Sequence, residues 1–263
     1  MDFTRLGPEA GSRCLVVGGC GGIGLAYVRG LLAGDARVAV LDMPSSLSID
    51  ALPPEVWALP VDVTDHATLR RTISLVGDSW NGIDTLAFIA GVNIALTPVA
   101  ETPLDSFRAV MDVNLTAAFL TPQVAMPYLK RAEAASIVFV SSSLHANAEA
   151  GFGAYATSKG GLVSLMKVLA REGAPHIRAN AVAPGLVETA LLSGGTGRGG
   201  RTGASGDFLH RQGAQGERIR QSIPLGRIAS PEEVAAPMLF LSGPASSYMT
   251  GQTLYVNGGR FTP

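Results

Sequence analysis

Apolar residues in this chain cluster into short β-rich runs that stop at glycine, proline or an acid, and longer stretches of helical character separate them. Arg13 to Val17 is the first run, apolar at consecutive positions, as a strand buried on both faces requires. It ends in glycines, after which Leu25 to Ala33 reads as a helix. Arg37 to Asp42 forms a second strand, and Leu59 to Asp65 a third that runs into a helix cap, with His66 to Val76 as the crossover helix. Leu86 to Gly91, Ser136 to Val140, Arg178 to Gly185 and Thr253 to Val256 supply the remaining strands. A helical region spans Pro103 to Arg131, where Pro122 and Pro127 are expected to kink it or divide it. Pro231 followed by Glu232 and Glu233 marks another helix start. Alternating strands and helices imply right-handed crossovers and an α/β doubly wound, mostly parallel seven-stranded sheet with helices on both faces.

Composition narrows this picture. A length of 263 residues suits one large α/β domain covering the whole chain, and 47% hydrophobic residues with 32 glycines suit a buried sheet joined by tight turns. The formal net charge of -1 leaves no electrostatic footprint for nucleic acid or an anionic membrane. Asp2, Arg5, Glu9 and Arg13 cancel ahead of the apolar Cys14 to Val28 stretch, which lacks a signal-cleavage pattern, and no long apolar run follows. The expectation is a cytoplasmic protein without membrane association. Cys14 and Cys20 alone make neither a disulfide framework nor a metal cluster, so no metal is expected. One segment departs from the pattern: residues 191–220 hold nine glycines from Gly194 to Gly216 with Arg198, Arg201, Arg211, Arg218 and Arg220. A substrate lid and a solvated surface loop both fit that insertion.

Candidate chemistry begins at Gly18-Gly19-Cys20-Gly21-Gly22-Ile23-Gly24, a glycine turn set between strand and helix. Residues without a Cβ let the backbone approach a pyrophosphate, and a helix N-terminus offers free N–H groups. The glycines fit two spacings, Gly19-x-Gly21-x-x-Gly24 and Gly18-x-x-x-Gly22-x-Gly24. Asp42 ends the second strand 18 positions after Gly24, where a carboxylate accepts ribose hydroxyls and repels a 2′-phosphate, or else caps the following turn. The first reading favours NAD. Asn114 is a polar amide among apolar neighbours, either bonded to backbone or part of a site network. On a helix after Gly153, Tyr155 and Lys159 stand one turn apart, either as a surface pair or as a phenol whose proton an ammonium helps to release. The serine run 141–143 precedes them at a strand end, and His145, Asn147 and Glu149 follow it in a loop beside the expected crevice.

With Ser142 thirteen positions before Tyr155, and with these motifs in this order, the chain resembles the short-chain dehydrogenase/reductase family from Cys14 to Gly259. Further matches are Asp62-Val63, Asn114-Leu115, Asn180 to Gly185, Thr189, Pro224 to Arg227, and Thr250 to Gly259. The resemblance implies a Rossmann-type single domain and a set of roles. Tyr155 would be the general acid/base, Lys159 would lower its pKa and hold the nicotinamide ribose, Ser142 would orient the substrate oxygen, and Asn114 would support a water relay. Gly18, Gly22, Ile23, Gly24, Asp42, Asp62, Val63, Ala90, Gly91, Pro184, Gly185, Val187 and Thr189 would surround the cofactor. It also implies a homo-oligomer, with a tetramer favoured. Val17 and Phe88-Ile89 replace the usual Thr and Asn pair, so altered local hydrogen bonding is expected there. The activity implied is NAD-dependent hydride transfer between a secondary alcohol and its ketone. Two alternatives accompany it: a 3-oxoacyl-thioester reductase, a role that generally goes with NADPH, and a non-catalytic dinucleotide-binding regulator.

Overall fold

The computed structural model describes residues 6–49, 52–94, 96–193 and 213–262. Strand β1 (Arg13–Val17) is an inner strand, paired in parallel with β2 (Arg37–Asp42) on one side and β4 (Thr85–Phe88) on the other. Outside β2 lies β3 (Trp57–Pro60), and beyond β4 follow β5 (Ala135–Val140), β6 (Ile177–Pro184) and β7 (Thr253–Val256). Every neighbouring pair is parallel, so the order is β3-β2-β1-β4-β5-β6-β7. The direction of strand progression reverses between β1 and β4. In an open parallel sheet that reversal opens a crevice at the carboxyl ends of the strands, the place for a ligand.

Each face of the sheet is covered. Helices α1 (Gly22–Ala33) and α8 (Pro231–Ser242) bury Tyr27, Val28, Leu31, Val234, Met238 and Leu241 against one face. On the other face α3 (His66–Trp80), α5 (Ala117–Leu129) and α6 (Gly153–Glu172) pack Leu69, Ile73, Ala125, Leu129, Leu162 and Met166. Shorter helices α2 (Pro44–Ile49), α4 (Leu104–Met111) and α7 (Gly213–Gln221) complete the chain. The expected cap at Asp65 is present, its carboxylate accepting from Thr68 N–H, and Ser230 with Glu233 forms a reciprocal capping box.

Three expectations are corrected. The helical region does break, but at a π-helical turn, Asp112–Thr116, and α5 continues through both prolines. Each internal proline costs about 3 kcal/mol, yet α5 buries Leu120, Pro122, Tyr128 and Leu129, and burial at about 1.5–3 kcal/mol per large side chain offsets a comparable amount. Strand β3 is displaced toward the N-terminus, because Trp57 and Ala58 pair with Ala39 and Val40 while Asp62 bends the chain by accepting from Thr64 N–H. Strand β4 stops at Phe88, since Ile89 and Ala90 N–H groups both converge on the Val17 carbonyl. Of the glycine-rich insertion, residues 194–212 lie outside the described residues; α7 occupies its far end, where Arg220 is engaged by Glu217 at 2.6 Å.

Candidate active site

The glycine loop is shaped by contacts that admit no side chain. Gly18 has φ +90°, and a Cβ there would stand 2.4 Å from the Ala90 nitrogen, at the β1/β4 reversal. A Cβ on Gly24 would lie 2.1 Å from the Gly18 carbonyl oxygen, so α1 starts hard against the loop. Gly22 faces Thr189, whose methyl would be 2.8 Å from an added Cβ, which brings the segment after β6 over the start of α1. No side chain caps α1 and no acid lies in its first turn, leaving its N-terminal N–H groups free of side-chain acceptors. Ile23 packs sideways into the core beneath. Such a bare backbone cradle with a positive helix end fits a pyrophosphate.

Acids stand on the β2 and β3 side of the reversal. Asp42 accepts from Cys20 N–H and Met43 N–H, both at 2.8 Å, so the carboxylate ties the glycine loop to the end of β2 and also caps the next turn. Each carboxylate oxygen retains a further lone pair for a hydroxyl. Asp62 accepts from the Thr64 N–H and hydroxyl, and Val63 beside it is buried. Val17 and Phe88 are both fully buried, so the two departures from the family pattern serve the core.

Across the reversal lies the polar cluster. Ser142 follows β5, its hydroxyl accepting from Leu144 N–H at 3.2 Å and lying near the Tyr155 phenol. Tyr155 and Lys159 occupy the first turns of α6. Burial pushes the Tyr155 phenol up to about 12, and the Ser142 hydroxyl pulls it partly back. Lys159 is only 2% exposed, and burial brings its ammonium down to about 8. Its Nζ donates to the Val140 carbonyl at 2.9 Å and stands 5.7 Å from the centre of the Tyr155 ring. The expectation that Lys159 lowers the tyrosine pKa is therefore not what dominates: desolvation outweighs it, because the ammonium points at a carbonyl. Lys159 and Asn114 flank Gly91, where a Cβ would stand 3.2 Å from Lys159 Nζ and 3.5 Å from Asn114 Oδ1.

Asn114 bonds to backbone, the first of its two readings, and also reaches one side chain of α6. Fully buried in the π turn, it accepts from Val92 N–H and donates to the Val92 carbonyl, while Nδ2 also reaches the Ser158 hydroxyl at 3.0 Å. Ser158 in turn donates to the Tyr155 carbonyl at 2.7 Å. Sequence reasoning passed over Ser158, although its position three residues after Tyr155 puts it on the neighbouring helical face. Pro184 closes β6, Gly185 backs onto Asn257, and Val187 is buried where it bridges to Ala229.

Of the predicted site residues, Gly18, Asp42, Asp62, Ala90, Gly91, Ser142, Pro184 and Gly185 lie at or just beyond the carboxyl ends of strands, Gly22, Ile23 and Gly24 start α1, Asn114 sits on the π turn, and Tyr155 and Lys159 stand on α6. A family model described as enoyl-(acyl carrier protein) reductase matches residues 18–260. The chain is 33% identical to a 3-oxoacyl-[acyl-carrier-protein] reductase of Chlamydia pneumoniae over 98% of its own length and 99% of that protein. It is a short-chain dehydrogenase/reductase. This dehydrogenase/reductase is also 30% identical to a 2-dehydro-3-deoxy-L-rhamnonate dehydrogenase (NAD(+)) of a Sphingomonas strain, over 97% of this chain and 98% of that one. Among solved structures it matches a 3-ketoacyl-(acyl-carrier-protein) reductase from Brucella melitensis complexed with NADH, with TM-score 0.83 and 25% identity, over 95% of this chain and 98% of that one. As a member of the family this oxidoreductase binds a nicotinamide dinucleotide. Among the described residues no helix is long and apolar enough to cross a membrane, and no group of three or more His, Cys, Asp or Glu could hold a metal. An open depression on the outer side of α4, lined by Phe107, Arg108 and Asp112, contains none of the site residues.

Proposed function

We propose that this oxidoreductase uses NAD and moves a hydride between the nicotinamide and a secondary alcohol or its ketone, with Tyr155 as general acid/base. The observation that carries the reading is the placing of the Ser142 hydroxyl beside the Tyr155 phenol at the end of β5, close enough to pull the phenol pKa partly back down, with buried Lys159 one turn along the same helix. Two hydroxyls converging on one point suit a single oxygen that changes between carbonyl and carbinol. The nicotinamide, when bound, supplies and accepts the hydride. Ser142 holds the substrate oxygen, and Tyr155 gives up its phenolic proton to that oxygen or takes it back. Lys159 is placed one turn along α6 to hold the nicotinamide ribose and, near its lowered pKa of about 8, to exchange protons with the tyrosine through solvent. Asn114 keeps the loop after β4 fixed against α6.

On the adenosine side, the cradle of Gly18, Gly22, Ile23 and Gly24 takes the pyrophosphate with Thr189 above it. Asp62 and Val63 border the adenine. Ala90, Gly91, Pro184, Gly185 and Val187 border the nicotinamide half. Asp42 supports NAD, because its negative charge lies where a 2′-phosphate would stand; names of two relatives mention NAD(+) and NADH. A second reading, a 3-oxoacyl-thioester reductase using NADPH, is favoured by the 33% identity to 3-oxoacyl-[acyl-carrier-protein] reductases. A titration with NADH and NADPH side by side separates the two, and a strong preference for NADPH overturns the role given to Asp42. The test of the chemistry is absorbance of the reduced nicotinamide with a panel of cyclic, aromatic and steroidal secondary alcohols. Tyr155→Phe should retain NADH binding and lose turnover; undiminished turnover would sink the assignment. A homotetramer in the cytoplasm, the arrangement the family suggests, is checked by light scattering and by fractionation.

A further inference from the structure

The loop that leaves Ser142 is held by more than its own turn. His145 N–H donates to the Ser142 carbonyl at 3.0 Å, and the Ser143 hydroxyl donates to Ala183 in β6 at 3.3 Å. The His145 ring then crosses to β7, where Nε2 lies 2.8 Å from the Tyr255 hydroxyl and the two rings stack with centroids 5.5 Å apart. Tyr255 meets the Phe261 ring edge-on at 5.6 Å, and Asn257 Nδ2 donates to the Phe261 carbonyl at 2.6 Å. Farther along the loop Glu149 is paired with Arg260 at 2.9 Å, just before Phe152 begins α6 by accepting from Ala156 N–H. Residues 255–262, the end of β7 and the segment after it, are therefore fastened to the loop that joins Ser142 to Tyr155 at two points, His145 and Glu149. Neither contact follows from the fold alone, since β7 could end without touching that loop.

We infer that His145–Tyr255 and Glu149–Arg260 form a two-point latch by which the C-terminal segment positions the Ser142–Tyr155 loop, making all four positioning residues of the reaction. This rests on the proposed dehydrogenase reading for its kinetic consequence but not for its structural one. The two contacts are separable. The first is a half-buried hydrogen bond plus stack, the second a partly exposed ion pair. Removing either frees the loop at one point while leaving the glycine cradle, Asp42 and the core untouched. The effect falls on the oxygen-holding side of the crevice and spares the dinucleotide side.

The experiment uses the full chain and the variants Tyr255→Phe, Arg260→Gln and both together. Hydrogen exchange followed by mass spectrometry reads residues 143–152, fluorescence titration reads NADH affinity, and turnover is read with NAD and cyclohexanol alongside the secondary-alcohol panel. Each single variant should speed exchange in 143–152 and lower kcat/KM by about fivefold, the size of one such contact, and the double variant by more. NADH affinity should stay within about twofold, a change smaller than the loss of one such contact. The charge-reversed pair Glu149→Arg with Arg260→Glu should recover most of the loss from Arg260→Gln. Unchanged exchange in the double variant overturns the latch, as does a loss of NADH affinity equal to the loss of kcat/KM, which marks general destabilisation. Arg260 lies near the surface, so its variant folds even where Tyr255→Phe does not. If wild type oxidises no alcohol of the panel, the dehydrogenase reading fails while the exchange result still decides the latch.

Discussion

Lys159 offers a stability measurement that bears directly on the site. The side chain is 2% exposed with no carboxylate among the causes acting on its ammonium, and burial lowers its pKa from 10.5 to about 8. A lysine whose folded pKa is depressed binds fewer protons folded than unfolded between those two values. Stability therefore rises with pH across the window from about 8 to 10.5, and the charged form carries its full penalty below it. At about 1.4 kcal/mol per pKa unit, the penalty amounts to roughly 3 kcal/mol at pH 7 and falls below roughly 1 kcal/mol by pH 10. Lys159→Met keeps most of the length of the side chain and removes the charge. It also removes the bond to the Val140 carbonyl, which costs about 1–3 kcal/mol when a buried acceptor is left alone. That second cost does not depend on pH, so the difference between wild type and variant isolates the titration. Urea unfolding at pH 7 and pH 10, at one fixed protein concentration, should show wild type gaining roughly 2–3 kcal/mol on Lys159→Met between the two conditions. The variant should be inactive at both. A pH-independent difference would refute the claim that a desolvated ammonium stands beside Tyr155.

Two further outcomes test the cofactor side. Asp42→Asn keeps one acceptor for Cys20 or Met43 N–H but removes the charge, and the preference for NADH over NADPH in paired titrations should fall about tenfold, the equivalent of about 1.5 kcal/mol. Gly24→Ala drives a Cβ to 2.1 Å from the Gly18 carbonyl oxygen, backbone against backbone; thermal unfolding should report a loss of about 2–3 kcal/mol with weaker NADH binding. Gly21→Ala, with nothing within 4 Å of its added Cβ, serves as the control and should stay within about 0.5 kcal/mol.

Much of this architecture was legible because parallel strands buried on both faces leave uninterrupted apolar runs, and each run here stops on a residue with a visible reason. β1, β2 and β7 begin and end where the apolar pattern places them. The errors share a cause: they arise where a hydrogen bond from a distant segment sets the boundary. Val17 ends β4 by accepting from two successive N–H groups, and β2 recruits Trp57 into β3. The π turn was invisible because nothing in Asp112 to Thr116 signals an i+5 bond, while the prolines of α5 signal a break that packing overrides. In the site, residues separated by one helical turn could be paired from sequence alone. His145 with Tyr255 could not, since they lie 110 positions apart and only the β6–β7 pairing brings them together.

The same lysine explains why the cluster holds its shape. Lys159 is tied to the end of β5 twice, through Nζ to the Val140 carbonyl and through its own carbonyl, which accepts from the Ser141 hydroxyl at 3.1 Å. Those two bonds fix the register of α6 against β5, and Tyr155, one turn earlier on the helix, inherits its place beside Ser142. Burial is what makes the ammonium expensive, and burial is also what brings it within reach of that carbonyl and of Gly91. A substitution that relieves the buried charge therefore removes the alignment together with the strain. Under the proposed mechanism, stability and proton transfer oppose one another at this residue because one desolvated group serves both, as expected where a site is kept at some cost to the fold.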